Sequence, residues 1–274
     1  MPELPEVETI VNGLRELIKN KIILDVTIRE PNIIAFPDAD LFEEEIRDRE
    51  IIQLRRRGKY ILIELEGQKT MVIHLRMTGR LLVKPGELEY DKHSHLIFHL
   101  DNNFDLRFHN VRKFGRVYLI DNNDYLKAGG LAKLGPEPLS EEFTLKRFKE
   151  LLNNRSTNIK ALILNQNFLA GLGNIYADEA LYKAGILPFR KVNTLKDAEI
   201  EKLYQAIKMV LKDAIKAGGT SFSDYRNAQD KKGYFQNELK VYQRAGESCP
   251  VCGSKIEKTK VAGRGTHFCP VCQK

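Results

Sequence analysis

The sequence predicts an α+β protein of two domains: a leading helix and β-sandwich, then a helical domain that ends in a four-cysteine module. Three observations predict it. The first segment repeats its apolar residues at helical spacing. Eight short segments after it alternate apolar and polar residues. Beyond Lys127 the helical period returns, and all four cysteines fall in the last twenty-six residues. With 274 residues, the chain has room for two domains and one small module.

Leu4–Lys19 is expected to be the helix. Val7, Ile10, Leu14 and Leu17/Ile18 recur on one face, Pro5 suits the first turn, and Glu3, Glu6 and Glu8 suit the positive end of the dipole. Strands are expected at Lys21–Glu30, Ile51–Arg56, Tyr60–Glu66, Met71–Arg76, Arg80–Lys84, Leu96–Leu100, Phe104–Phe108 and Arg116–Ile120, separated by Gly, Asp, Asn and Pro. Gly129-Gly130 through Pro136-Glu137-Pro138 reads as a hinge. Helices are expected at Glu141–Asn153, Asn158–Asn165, Asn174–Ala184 and Lys196–Ala217. Gly218–Gln236 is polar and without period, so it reads as a loop. The expected boundaries are 1–128 for the sandwich, 129–140 for the hinge, 141–237 for the helical domain with its loop at 218–236, and 238–274 for the cysteine module.

Net charge is +7 and the sequence pI is near 9.1, a balance that favours a polyanionic partner such as nucleic acid. No apolar run approaches a membrane span, and the acidic N-terminus has no apolar signal core. A cytosolic protein with no membrane partner is therefore expected. In a reducing cytosol, clustered cysteines point to metal ligation before disulfides.

Cys249-x2-Cys252 and Cys269-x2-Cys272, sixteen residues apart, can set four thiolates around one Zn²⁺. The module is too short to bury a core, so the metal would supply its folding energy. Four sulfurs leave no open position, so this zinc would be structural. Between the pairs, Lys258–Phe268 reads as a hairpin with Arg264 at its tip, flanked by glycines. Taken alone, Arg264 is an ordinary exposed turn residue.

Asn174 follows Gly171-Leu172-Gly173 at the start of an expected helix. It can serve as an N-cap, as a phosphate ligand, or as both. Arg55-Arg56-Arg57-Gly58-Lys59 concentrates four cations between apolar strands, where a solvated charge run is the plain alternative. His109-Asn110-Val111-Arg112-Lys113-Phe114 sets Arg and Phe two apart in a loop, a pair able to enter and unstack a duplex. Met77, in His74-Leu75-Arg76-Met77-Thr78-Gly79, has the same character. Core packing is the alternative for either apolar residue.

At the N-terminus, loss of Met1 would leave Pro2 as a free secondary amine beside Glu3. An α-amine titrates near pH 7.7–8.0, so much of it is neutral and nucleophilic at pH 7. Amines attack aldehyde-like carbons to form Schiff bases, and C1′ of a deoxyribose is such a carbon in DNA. Glu3 and Glu6 can equally be plain helix-terminal acids.

MPELPEVET, HLRMTG, NVRKFG, LGPEPL, AGLGNIYADE and AGRGTHFCPVCQ together resemble the bacterial formamidopyrimidine-DNA glycosylases, and the resemblance runs from Met1 to Lys274. It implies a helix-two-turn-helix in the helical domain and a zinc finger at the end. It implies a monomeric bifunctional enzyme of base-excision repair that acts on double-stranded DNA carrying oxidised purines or abasic sites. Such an enzyme removes 8-oxoguanine and formamidopyrimidines, then cleaves the abasic site by β,δ-elimination. By resemblance, Pro2 is the nucleophile, Glu3 the acid–base residue, Lys59 the proton-transfer group of β-elimination, and Arg264 the phosphate grip assigned to δ-elimination. Met77, Arg112 and Phe114 would fill the gap left by a flipped nucleotide, with Arg112 facing the orphan cytosine. Lys59, His74, Asn174 and Arg264 would hold phosphates, with His93 and Arg155 as further DNA contacts. The loop 218–236 would cap the lesion. Zn²⁺ is the sole cofactor implied.

Thr78 stands where the family often has Glu, and Ser223 where some relatives have Arg, which leaves the order of lesion preference open. Two other readings share these features. One is an endonuclease VIII-like glycosylase for oxidised pyrimidines, though that group usually opens PEG where this chain has PEL. The other is a non-catalytic zinc protein that binds damaged DNA or RNA, which a test for strand cleavage separates.

Overall fold

The computed structural model describes residues 1–222, 225–228 and 230–274. The chain divides into two compact units, Met1–Ala132 with Ala217–Tyr234, and Lys133–Lys216 with Phe235–Lys274. The segment 217–234 thus groups with the N-terminal unit rather than with the helices that precede it in sequence.

In the first unit, helix α1 (Leu4–Ile18) buries Leu4, Val7, Ile10, Val11, Leu14 and Ile18 on one face. At roughly 1.5–3 kcal/mol per buried aliphatic side chain, that face holds the helix in place. The strands are β1 (Ile22–Ile28), β2 (Ile34–Phe36), β3 (Arg49–Arg57), β4 (Tyr60–Leu65), β5 (Lys69–His74), β6 (Gly79–Pro85), β7 (Ser94–Leu100), β8 (Phe104–Asn110) and β9 (Arg116–Asp121), with helix α2 (Ala39–Ile46) after β2. Their order is β2-β9-β5-β4-β3-β1-β7-β8-β6. β1 and β3 pair only at Ile22–Glu50 and Ile23–Arg49, a narrow seam between two otherwise separate halves. Ile61, Ile63, Ile73 and Val117 from one half share a core with Leu81, Leu96, Phe98 and Phe108 from the other, together with the apolar face of α1. That is the expected sandwich.

All eight expected strands form, and two elements are added. α2 starts at Asp38, whose carboxylate accepts the Leu41 N–H at 3.0 Å, and it buries only Phe42 and Ile46. β2 is three residues long and parallel to β9. Neither is long enough to show a period.

The second unit contains α3 (Leu145–Leu152), α4 (Ile159–Leu164), α5 (Asn174–Ala184), α6 (Asp197–Lys216) and the hairpin β10 (Glu257–Val261) and β11 (Arg264–Phe268). α3 starts later than expected because Thr144 caps it, accepting the Arg147 N–H at 3.1 Å. α5 is buried on nearly every side and ends at Gly185, whose φ of 71° gives the left-handed cap. No helix among the described residues is long and apolar enough to cross a membrane.

Candidate active site and nucleic-acid contacts

The start of α1 is buried before it is chemical. Pro2 is buried, Glu3 is 4% exposed and Glu6 is 2% exposed, while Met1 projects outward. The Glu3 N–H donates to Glu6 Oε2 at 2.8 Å, which closes the first turn. Glu8 Oε2 lies 2.6 Å from Arg56 Nε, fixing the next turn to β3. With Met1 attached, the Pro2 nitrogen is an amide. Its removal would expose a secondary amine on a rigid, largely desolvated turn with a carboxylate on the next residue.

Gly58 and Lys59 form the two-residue turn between β3 and β4, and Gly58 takes φ 57°. Lys59 is only 7% exposed. The neighbouring Tyr60 pairs with His74 across β4 and β5, their rings 4.6 Å apart and edge-on. The Arg76 N–H donates to His74 Nδ1 at 3.0 Å, so the neutral ring carries its proton on Nε2. Burial, with the charges of Arg76 and Lys59, holds the His74 pKa down to about 3. His74 is therefore a neutral hydrogen-bond donor across the physiological range.

Met77, Arg112 and Phe114 are exposed, and Arg112 contacts each of the other two. Arg112 Nη1 lies 3.3 Å from Met77 Sδ, and its guanidinium sits 5.0 Å from the Phe114 ring centroid. Core packing is thus excluded for both apolar residues. Thr78 braces the set: its hydroxyl donates to Asn110 Oδ1 at 2.9 Å and accepts the Arg112 N–H at 3.2 Å. Thr78 is itself buried, so it acts here through the two turns it joins. His93 is half-buried before β7, its ring 5.5 Å from that of His109. Ser223 lies outside the described residues.

In the second unit, Gly173 and not Asn174 is the N-cap of α5, which corrects the capping alternative. The Asn174 amide instead donates to Gly265 O at 2.9 Å. Ala262 and Gly263, at φ 49° and 72°, form the hairpin turn, so Arg264 opens the return strand rather than sitting at the tip. Arg264 is exposed beside a heavily anchored backbone. Lys160 Nζ donates to Thr266 Oγ1 at 2.8 Å and pairs with Asp178 Oδ1 at 2.6 Å, both side chains fully buried. Asp178 Oδ2 also accepts the His267 N–H at 2.9 Å. α5 thus holds the segment that carries Arg264 from Asn174, Asp178 and, through Lys160, α4. Arg155 is exposed beyond the end of α3.

The Sγ atoms of Cys249, Cys252, Cys269 and Cys272 all lie within 4.8 Å of one another, with 3.8 Å between Cys249 and Cys272 and 3.4 Å between Cys252 and Cys269. A tetrahedron with Zn–S near 2.3 Å has edges of about 3.8 Å, so the four cysteines fit one zinc and form no disulfide.

Three family models match: the formamidopyrimidine-DNA glycosylase N-terminal domain over residues 1–117, its H2TH domain over 134–226, and the zinc finger found in FPG and IleRS over 246–274. The chain belongs to the formamidopyrimidine-DNA glycosylase family. A formamidopyrimidine-DNA glycosylase from Pediococcus pentosaceus is 48% identical over 273 residues, covering 100% of this chain and 99% of the relative. Among solved structures, a Lactococcus lactis Fpg variant in complex with Fapy-dG-containing DNA has 40% identity and a TM-score of 0.93, covering 100% of both chains. The Fpg protein of Thermus thermophilus has 41% identity and a TM-score of 0.90, covering 99% of this chain and 98% of its own. Membership supports one structural zinc in the finger, as the cysteine geometry does.

Within this glycosylase, the first unit carries Pro2, Glu3, Lys59, His74, His93, Met77, Arg112 and Phe114, and the second carries Asn174, Arg155, Arg264 and the four cysteines. Lys160 and Asp178 escaped the sequence reading. Their signal was charge set among apolar residues, Lys160 within Ile159–Leu164 and Asp178, beside Glu179, within 175–181.

Proposed function

We propose that this chain is a base-excision-repair enzyme of double-stranded DNA that removes oxidised purines such as 8-oxoguanine and formamidopyrimidines, then cleaves the resulting abasic site. The supporting observation is the exposed Met77–Arg112–Phe114 set in the same unit as the buried Pro2–Glu3 turn. A base inside a duplex shields C1′, so the nucleotide must leave the stack, at a cost of a few kcal/mol. Two apolar side chains and a guanidinium between them suit the vacated gap, with Arg112 donating to the orphan base.

The Pro2 nitrogen then attacks C1′. The N–C1′ bond forms as the glycosidic bond breaks and the base departs with a proton. Glu3 moves protons at the sugar, the ring opens, and a Schiff base forms at Pro2. Loss of the C2′ proton, a transfer assigned to Lys59, expels the 3′ phosphate, and a second elimination, assigned to Arg264, expels the 5′ phosphate. Lys59 and Arg264 contribute charge to the phosphates, whereas His74, neutral, contributes a directed N–H. Asn174, His93 and Arg155 are further phosphate contacts in this reading. The zinc holds the hairpin that carries Arg264 and takes no chemical part itself. The enzyme would work as a monomer on the DNA of the cytoplasm.

The test uses protein whose intact mass shows Met1 removed, incubated with borohydride and a duplex carrying 8-oxoguanine opposite cytosine. A covalent adduct that maps to Pro2 is expected, and Pro2→Gly should lose it while still binding duplex. Absence of an adduct on both this duplex and an abasic-site duplex would reduce the chain to a binding protein.

A further inference from the structure

One carboxylate joins the first turn of α1 to the base of the segment 217–234. Glu6 Oε2 accepts the Glu3 N–H at 2.8 Å, and Glu6 Oε1 accepts the Thr220 N–H at 2.7 Å. Both acceptor atoms belong to one rigid planar group, so displacement of one donor turns the acceptor of the other. The Glu3 N–H lies in the Pro2–Glu3 peptide plane, which also contains the Pro2 Cα. Pinning that N–H therefore leaves one rotation between the anchor and the Pro2 ring nitrogen.

The other end of the tie is equally built. The Tyr225 hydroxyl reaches Gly218 O at 3.1 Å and Glu6 O at 3.4 Å. Tyr234 N–H donates to Ala217 O at 2.9 Å, and Gly233 N–H donates to Ser221 Oγ at 3.0 Å, so the two ends of the segment are zipped together. A Cβ on Gly233 would come within 2.2 Å of Gly219 O, and one on Gly219 within 2.9 Å of Glu6 Oε1. The base of the segment is thus packed directly against the Glu6 carboxylate.

We propose that Glu6 is a positioning residue through which the 217–234 segment sets the orientation of the Pro2 nitrogen. The proposal rests on the glycosylase/lyase reading above and deepens it. A base seated against the segment would stabilise the arrangement in which Glu6 holds the Pro2–Glu3 peptide for attack. The tie itself exists without a base, so it orients the amine in the free enzyme too, and a base that fails to seat only forgoes the added stabilisation. Selection would then act on the chemical step as well as on binding.

A preformed abasic site tests this, because it offers no base for the segment to touch. A segment that only grips the base would have no influence there. Single-turnover borohydride trapping on abasic-site duplex is compared for wild type, Tyr225→Phe, Glu6→Gln and the double variant, with rates scaled to the folded fraction. The Gln amide cannot accept from an N–H on its nitrogen, so one of the two ties is lost. Glu6→Gln should slow trapping about tenfold or more, and Tyr225→Phe about three- to tenfold, the scale of a charged and a neutral hydrogen bond. Duplex Kd should stay within about twofold, and the double variant should be no slower than Glu6→Gln, because the two act in one chain of contacts. Tyr225→Phe alone decides the matter if Glu6→Gln fails to fold. Trapping by Tyr225→Phe at the wild-type rate, with slowed base release from a lesion duplex, would overturn the proposal. So would lowered melting temperatures with unchanged rates per folded molecule. Absence of any adduct with the wild type would instead strike the glycosylase/lyase reading itself.

Discussion

Burial of neutral His74 makes the stability of the first unit depend on pH in a calculable way. The perturbation is His74→Gln, which keeps a polar side chain and removes the titration. Folded His74 titrates at about 3 and the unfolded ring near 6.5. Between these values the unfolded chain binds the extra proton, so stability rises with pH through that window. The contribution is complete above pH 6.5 and is lost as pH falls toward 3, at about 1.4 kcal/mol per unit. At pH 5.0 the folded ring is still neutral, so the loss relative to pH 7.5 is about 2 kcal/mol. For a unit of this size that is about 4–8 °C in Tm. The assay is thermal unfolding of the first unit at pH 7.5 and 5.0 for both proteins. Wild type should lose about 4–8 °C more than His74→Gln over that interval. His95 and His109, whose pKa values burial also lowers, are present in both proteins and cancel in the difference. Equal losses in the two proteins would show that His74 is protonated in the fold, and the neutral-donor role would fall with it.

Two more outcomes follow from charge and metal. Arg264→Ala should weaken binding to every duplex and reduce the slope of log K against log salt by about 0.9, the loss of one neutralised phosphate, whereas His74→Gln should leave the slope unchanged; binding isotherms at several salt concentrations measure both. Mercurial titration of the thiols should release one zinc per chain and abolish duplex binding, while the melting transition of the first unit stays in place; unaltered binding after complete release would contradict a structural metal.

Much of the fold was legible because its signals are local. Short runs rich in branched and aromatic residues, such as Tyr60–Leu65 and Phe104–Asn110, report strands directly, and the two CxxC pairs report a metal without any tertiary knowledge. α2 was not legible, because two buried residues in eight establish no period. The wedge was half legible. The residue types of Met77, Arg112 and Phe114 suggested insertion, but their exposure and contact depend on Thr78 and Asn110, more than thirty positions apart. Asn174 shows the converse failure. A Gly-rich turn before a polar residue looked like a cap, yet Gly173 supplies the cap and frees the amide to hold Gly265.

Lys160 and Asp178 show why such a site needs more than its named residues. Neither is exposed, so neither is placed to touch DNA, yet together they fix the strand that Arg264 opens. A fully buried ion pair is a weak source of stability, since an apolar pair of similar volume often does as well. What an apolar pair lacks is direction. Lys160 reaches Thr266 and Gly265, and Asp178 reaches the His267 N–H, so the pair spends its hydrogen bonds on three consecutive residues of β11. Apolar packing could hold the hairpin near α5, but it would not set β11 against the helix to within one residue. Because side chains alternate along a strand, a slip of one residue would turn Arg264 to the opposite face. The buried charges are therefore best understood as setting register, which is the property an exposed phosphate-binding arginine most needs from the scaffold beneath it.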